Sequence, residues 1–188
     1  MVQLDLAVKP KFTRPELLLH PSVPKYLSGV NPRTIKGQEW WDSVRKVAYA
    51  ENNFCCWACG VYQLDAVYEP LLDAHETYTY DYKKFEARPG EIVALCRACH
   101  WFIHFRRVKY LHVRKEVVIR GLRFLADAGL PVPYWQHTVA LAWDWNWGEH
   151  KYPNLQVQEK PVEQLHLLSS KWVLVLDGVK YNIGGVVK

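Results

Sequence analysis

Two short stretches decide how this chain folds, CWACG at residues 56–60 and CRACHWFIH at residues 96–104. Each contains a C-x-x-C pair, and 36 residues separate the two pairs. A C-x-x-C turn presents two thiolates from one tight loop, so two such turns supply the four ligands of a tetrahedral zinc ion. We therefore predict a structural zinc site formed by Cys56, Cys59, Cys96 and Cys99.

The fifth cysteine and the chemistry of the pairs leave alternatives open. Cys55 could replace Cys56 as a zinc ligand, and the pairs could instead form disulfides or a redox motif. Zinc is favoured because C-x-x-C pairs in a reducing compartment are more often metal ligands than disulfides. Gly60 and the Pro89-Gly90 pair offer turn chemistry next to the two knuckles.

The composition predicts one folded domain with appended arms. Of the 188 residues, 49% are hydrophobic, and nine Trp and eleven Tyr exclude a disordered chain. The net charge of +5 fits an anionic partner but is too small to indicate one by itself. No apolar run is long enough to span a membrane, and residues 1–12 lack the pattern of a signal peptide. We therefore expect an intracellular, cytoplasmic protein.

The chain divides by composition into three segments. Residues 1–38 are rich in proline and predict an extended N-terminal arm that wraps a partner surface. Residues 39–128 hold the zinc core and its flanking helices, and residues 129–188 form a Trp-rich extension that could also contact a protein partner. The predicted fold class is α+β, with an N-terminal helix before the zinc core and a helical segment after it.

Local patterns place helices and strands on these segments. Apolar residues recur at helical spacing over residues 38–52, and a helical pattern of one or two helices follows the second knuckle and stops at Gly129 and Pro131. Residues 131–161 read as irregular. Two β-branched runs around Asp177-Gly178 predict a C-terminal β-hairpin, because this pair favours a tight turn.

Three histidines are placed to form a second site. Residues 92–95 read as a short strand, and the following helical pattern puts His100 and His104, four residues apart, on one face. His75 lies on an earlier strand, where Asp73 alternates with it and could orient His75 or face water. Three neutral imidazoles with open remaining positions suit a catalytic divalent ion. The other histidines lack this register and are expected at the surface or in packing: His20, His112, His137, His150 and His166.

The order of these motifs resembles a known family. C-x-x-C, then LDAHE at residues 72–76, then EIVALC-x-x-C-H-x-x-x-H, together with the lead-in NPRTIKGQEWWDSVRKVAYAENNFCCWACG, is similar to the HNH nucleases over roughly residues 31–106. The resemblance implies a ββα-metal, treble-clef-like core and a bacterial or phage endonuclease that hydrolyses phosphodiester bonds in DNA. It also implies a divalent ion (Mg²⁺, Mn²⁺, Ni²⁺ or Zn²⁺) bound by His75, His100 and His104.

Two positions depart from the family pattern. Glu76 stands where the family has a histidine that acts as general base, and Glu91 stands where it has an asparagine that braces the loop. A carboxylate can accept a proton from water, so His75 and Glu76 are the expected catalytic residues. In an alternative placement Glu76 is a metal ligand and the base is unassigned. The departures also motivate a second hypothesis, a non-catalytic zinc module that binds DNA or a protein.

A basic stretch follows the second knuckle. Arg106, Arg107 and Lys109 are its members nearest to the histidines. Contacts to phosphate supply most of the sequence-independent affinity for DNA, so we predict that these three residues bind the backbone of the nucleic acid. The same charges could instead be a solvated helical face.

Overall fold

The chain forms an α+β fold in the computed structural model, which describes residues 7–21, 23–143, 152, 154–159 and 167–187. This described part contains five α-helices and one five-stranded sheet with the strand order β1-β2-β3-β4-β5. The helices are α1 (Pro32–Lys36), α2 (Gln38–Glu51), α3 (Arg97–Ile103), α4 (Leu111–Asp127) and α5 (Tyr134–Trp143). The strands are β1 (Leu72–Asp81), β2 (Glu86–Cys96), β3 (Val173–Leu176), β4 (Val179–Asn182) and β5 (Gly185–Val186).

One strand–strand–helix unit organises the fold. Strands β1 and β2 pair antiparallel from Leu72↔Cys96 to Asp81↔Glu86, and α3 begins at the residue after β2. The C-terminal hairpin extends the same sheet, because Glu86 and Ala87 pair in parallel with β3. Asp177 and Gly178 both have positive φ, as a tight two-residue turn requires, so the predicted hairpin is confirmed.

Strand β2 is longer than the predicted four residues and carries a β-bulge. Glu76 pairs with Ile92 but Tyr78 pairs with Pro89, so two residues of β2 lie opposite Thr77. The prediction of a turn at Pro89-Gly90 was wrong, since both residues lie within the strand. Proline removes a ladder donor, and a Cβ on Gly90 would lie 2.6 Å from the Thr77 hydroxyl, so this pair suits a bulge.

The predicted helices at residues 38–52 and after the second knuckle are confirmed as α2, α3 and α4. Gly129, with φ of 68°, follows the end of α4. The prediction of irregular structure was wrong for residues 134–143, which form α5 behind Pro133 and pack on α4. Trp145 and Trp147 lie outside the described residues. None of the helices in the described part has the length and apolar character needed to cross a lipid bilayer.

The N-terminal arm packs on its own chain, although the sequence predicted contacts with a partner. The Phe12 ring lies edge-on to Trp57 at a centroid distance of 5.1 Å, and Leu17 and Leu18 are buried in the main core. The fully buried Asn52 accepts a hydrogen bond from the Lys11 amide at 2.8 Å. Apolar side chains spaced between the prolines explain the difference, because burying them stabilises the arm on the knuckle.

Candidate metal centres

The four predicted cysteines lie together. Cys56 and Cys59 belong to a tight knuckle after α2, whereas Cys96 ends β2 and Cys99 lies in the first turn of α3. Their sulfur atoms are all within 4.8 Å of one another, and the Cys59 and Cys96 sulfurs are 3.8 Å apart. A tetrahedral site with Zn–S distances of about 2.3 Å has sulfur–sulfur separations of about 3.8 Å. The cluster therefore could hold a metal ion such as zinc.

The cluster also decides between the alternatives for these cysteines. All five thiols are free, so none forms a disulfide. The cluster contains Cys56, whereas the sulfur of Cys55 lies 3.6 Å from the Asn53 carbonyl oxygen. The close packing of the four thiols lowers the pKa of Cys59 and Cys96 and raises that of Cys56 and Cys99. Metal binding requires the thiolate form at each ligand position.

The three predicted histidines also lie together. His75 is on β1, His100 is on α3, and His104 follows the end of that helix. One ring nitrogen from each lies within 4.8 Å of the others, and the ring centroids are 5.0 to 5.4 Å apart. His75 is only 4% exposed, and its buried Nε2 atom has no hydrogen-bond partner among the described residues. A buried, unpaired nitrogen is unfavourable, and a metal ion would satisfy it.

The protonation state of these histidines suits metal binding. Burial lowers the pKa of His75 to about 2 and that of His104 to about 3, and the neighbouring positive charges add to both shifts. Both rings are therefore neutral near pH 7. Neutral imidazole is the form that binds a metal ion.

Asp73 contacts His100, whereas the sequence suggested that it could orient His75. The Nδ1 atom of His100 lies 3.1 Å from the Asp73 carboxylate, and Arg97 contacts the same carboxylate at 3.3 Å. Arg97 also contacts Glu69 at 2.6 Å. With its Nδ1–H donated to a carboxylate, His100 keeps Nε2 free as a ligand atom.

Glu76 follows His75 on β1 but lies outside the group of close ligand atoms, which contains the three histidines alone. Burial raises the pKa of the Glu76 carboxyl, while the charges of His100, Arg33 and Arg107 oppose this shift. A raised pKa makes a carboxylate a better proton acceptor near neutral pH. The position of Glu76 outside the group of close ligand atoms disfavours its alternative role as a ligand, and its role as a base stays a prediction.

The three predicted phosphate contacts differ in position. Arg107 is exposed, and its backbone amide donates to the His104 carbonyl oxygen at 2.8 Å, so it directly adjoins the histidine cluster. Arg106 instead lies over the ring of Trp135, at 5.8 Å. Lys109 is exposed beside the Tyr110 ring, at 5.7 Å. Of the three, Arg107 is therefore the one close to the site.

Two residues at the site were missed by the sequence analysis. His20 was expected at the surface or in packing, and its ring lies 5.1 Å from that of His75. Arg33 on α1 acts electrostatically on Glu76. A sequence signal was available for Arg33, which lies in the lead-in NPRTIKG that formed part of the resemblance. No local sequence pattern indicates a role for His20. Glu91, the other departure, forms an ion pair with Arg14 of the arm at 2.7 Å.

No family model, curated protein or solved structure matches the chain. Its class is therefore defined by its fold and by its two clusters of metal-binding side chains. It is an α+β protein in which four cysteines could hold a metal ion such as zinc. Three histidines form a separate cluster on the same strand–strand–helix unit.

Proposed function

We propose that this protein is a metal-dependent endonuclease of the HNH type, which hydrolyses phosphodiester bonds in DNA. The observation that carries the proposal is the buried His75, whose unpartnered Nε2 lies in a cluster with His100 and His104. The succession of β1, β2 and α3 is consistent with a ββα-metal core of the treble-clef-like kind. Four cysteines beside it fit the zinc-binding version of that core.

The two clusters have different roles in this proposal. Zinc bound by the cysteines stabilises the knuckles, because binding of a structural metal is coupled to folding. A divalent ion bound by the three histidines would supply positive charge for the leaving oxygen of the phosphodiester. Asp73 holds His100 in the tautomer that leaves Nε2 available, and burial keeps His75 and His104 neutral.

Glu76 and Arg107 act on the substrate. The Glu76 carboxylate accepts a proton from water while the water oxygen bonds to phosphorus and the bond to the leaving sugar oxygen breaks. Burial raises the pKa of Glu76, which brings its basicity closer to that task. Arg107, whose charge acts on Glu76 and whose amide bonds to His104, would bind the negatively charged phosphate.

A second candidate is a zinc module that binds DNA or a protein without cleaving it. The observation in its favour is Glu91, which replaces the asparagine of the family pattern and pairs with Arg14 of the arm. A side chain engaged in that way does not brace the loop beside the histidines. The two candidates agree on zinc at the cysteines and differ on hydrolysis.

Plasmid nicking separates the candidates. Wild-type protein is incubated with supercoiled plasmid and with single-stranded DNA, in Mg²⁺, Mn²⁺, Ni²⁺ or Zn²⁺. We expect nicking with at least one ion, its loss in His104→Ala, and a rate reduced roughly a hundredfold or more in Glu76→Gln. Glu76→His, which introduces the family's imidazole base, should remain active. His112→Ala is the matched control, because His112 is exposed on α4.

Two outcomes would contradict the endonuclease proposal. The first is the absence of cleavage by both wild type and Glu76→His with every ion, while DNA or a protein partner still binds. The second is cleavage that persists at the same rate in His104→Ala, which would indicate a contaminating nuclease. In either case the zinc-module candidate is favoured.

A further inference from the structure

His20 directly follows the first 3-10 helix of the arm (Pro15–Leu19) and lies against His75 of the histidine cluster. Its ring is perpendicular to that of His75, with an interplanar angle of 89° and a centroid distance of 5.1 Å. Its Nε2 atom accepts a hydrogen bond from the Tyr78 amide at 2.7 Å. His20 therefore contacts β1 on both sides of Glu76.

The Tyr78 amide needs an acceptor from outside the sheet. Strand β1 is at the edge of the sheet, so its outward N–H groups have no neighbouring strand to bond. Tyr78 is also the first paired residue after the β-bulge, opposite Pro89. The hydrogen bond from Tyr78 to His20 holds β1 against the arm at the point where the register of β1 changes, two residues after Glu76.

His20 itself is held by the core. Leu17 and Leu18, in the same 3-10 helix, are 7% and 1% exposed and belong to the main hydrophobic cluster. The His20 amide donates to the Leu17 carbonyl oxygen at 3.3 Å and so continues the helix. The backbone at His20 is therefore held by the hydrophobic core and not by the histidine cluster.

The hydrogen bonds of His20 exclude it as a ligand or a base. Nε2 accepts the proton of the Tyr78 amide, so its lone pair is occupied. A neutral imidazole that accepts at Nε2 carries its proton at Nδ1, so neither ring nitrogen has a free lone pair. The cluster of close ligand atoms accordingly contains His75, His100 and His104 without His20.

We propose that His20 is a positioning residue of the histidine metal site. Its hydrogen bond fixes β1 at the bulge, and its ring fixes the plane of His75, so that the His75 nitrogen is presented to the ion. This inference rests on the proposed binding of a divalent ion by His75, His100 and His104. It makes the N-terminal arm part of the site.

A titration with Co²⁺ tests the inference without any measurement of cleavage. Full-length protein that already carries one zinc is titrated calorimetrically and by visible absorption. His20→Ala and His20→Phe should bind Co²⁺ at least about tenfold more weakly than wild type, as for other residues that orient metal ligands. His20→Gln should restore binding, because its Oε1 is as many bonds from Cβ as Nε2 is and can accept the Tyr78 proton. His112→Ala should bind as wild type does.

The outcomes distinguish this inference from the proposed function. If wild type takes up no second ion, the metal site and the endonuclease proposal fail together with it. If wild type binds Co²⁺ and His20→Phe binds equally well, the inference alone is overturned. Zinc content and circular dichroism identify the folded variants. Should His20→Ala not fold, the comparison of His20→Phe with His20→Gln decides, and equal affinities of those two variants overturn the inference.

Discussion

The cysteine cluster and the histidine cluster share helix α3 but differ in burial and in the number of ligands. Cys99 and His100 are neighbours in α3, yet Cys99 is 6% exposed whereas His100 is only half-buried. Four thiolates would complete the tetrahedron of a zinc ion and leave no position for a substrate. Three imidazoles would leave positions open on a bound ion, which is typical of catalytic metal sites. Helix α3 thus carries a ligand of each cluster on two consecutive residues.

The two clusters also differ in the groups that surround them. The first knuckle is held by backbone bonds, such as those from the Gly60 amide to Cys56 and from the Cys56 amide to Val61. The histidine cluster is instead adjoined by ionisable side chains, namely Glu69, Asp73, Glu76, Arg97 and Arg107. Damage to the first cluster should therefore reduce stability, and damage to the second should change binding and chemistry.

The largest effect is expected from Cys96→Ser. Loss of one thiolate weakens zinc binding, whose free energy in small zinc proteins is comparable to the whole free energy of folding. The variant should be insoluble or unfolded, as measured by circular dichroism and by zinc content. Cys55→Ser is the matched control and should keep its zinc, since Cys55 lies outside the cluster. A soluble, metal-free Cys96→Ser protein with unchanged circular dichroism would contradict a stabilising role for the cysteine cluster.

A smaller effect, confined to the histidine cluster, is expected from Asp73→Ala. Without the carboxylate, His100 loses the acceptor that fixes its tautomer. Affinity for Co²⁺ at the second site should fall by about 10- to 100-fold, while one zinc and the unfolding midpoint in urea are retained. The exposed Glu39→Ala on α2 is the control. Equal Co²⁺ affinities of Asp73→Ala and wild type would show that Asp73 does not orient His100.

Acid should destabilise the protein through His75. Its pKa is lowered from 6.5 to about 2 by burial, so below pH 6.5 the unfolded chain takes up a proton that the folded chain does not. Above pH 6.5 His75 is neutral in both the folded and the unfolded chain, so protonation does not reduce the free energy of unfolding. As the pH falls below 6.5, protonation of the unfolded chain lowers that free energy. Between pH 7.5 and 5.5 wild type should lose at most about 1.4 kcal/mol more than His75→Gln, as measured by urea unfolding. A constant difference between the two proteins would contradict this pKa shift.

The smallest effect distinguishes two adjacent arginines. The amide of Arg107 donates to the carbonyl oxygen of His104, whereas the Arg106 guanidinium lies over Trp135. Replacement of Arg107 by Ala should weaken DNA binding and reduce the slope of log affinity against log salt by about 0.9, the value for one phosphate contact. Arg106→Ala should change this slope less. Equal slopes for both variants would indicate that neither residue, or both, binds phosphate.

Much of both clusters could be predicted from sequence because their spacing is local. Two residues between paired cysteines define a turn, and four residues between His100 and His104 define one helix face. The same reasoning predicted α2 and the C-terminal hairpin, where periodicity and turn chemistry act over a few residues. It failed for α5, because residues 134–143 are apolar on most sides and show weak amphipathic periodicity.

The parts that could not be predicted depend on contacts between distant residues. The bond between His20 and Tyr78 joins residues 58 positions apart, and only the packing of the arm brings them together. Whether Asp73 orients His75 or His100 depends on how β1 meets α3. The β-bulge likewise depends on a distant pairing. Pro89-Gly90 alone predicts a turn, but pairing with β1 places both residues inside a bulged strand.

The shared helix also sets an order of assembly during synthesis. His100 and His104 can meet His75 only once α3 has packed beside β1, and Cys96 and Cys99 lie at the start of that helix. Zinc bound there would hold the helix in place, because binding of a structural metal is coupled to folding. Under the proposed function, a newly made chain without zinc would therefore not assemble its histidine site.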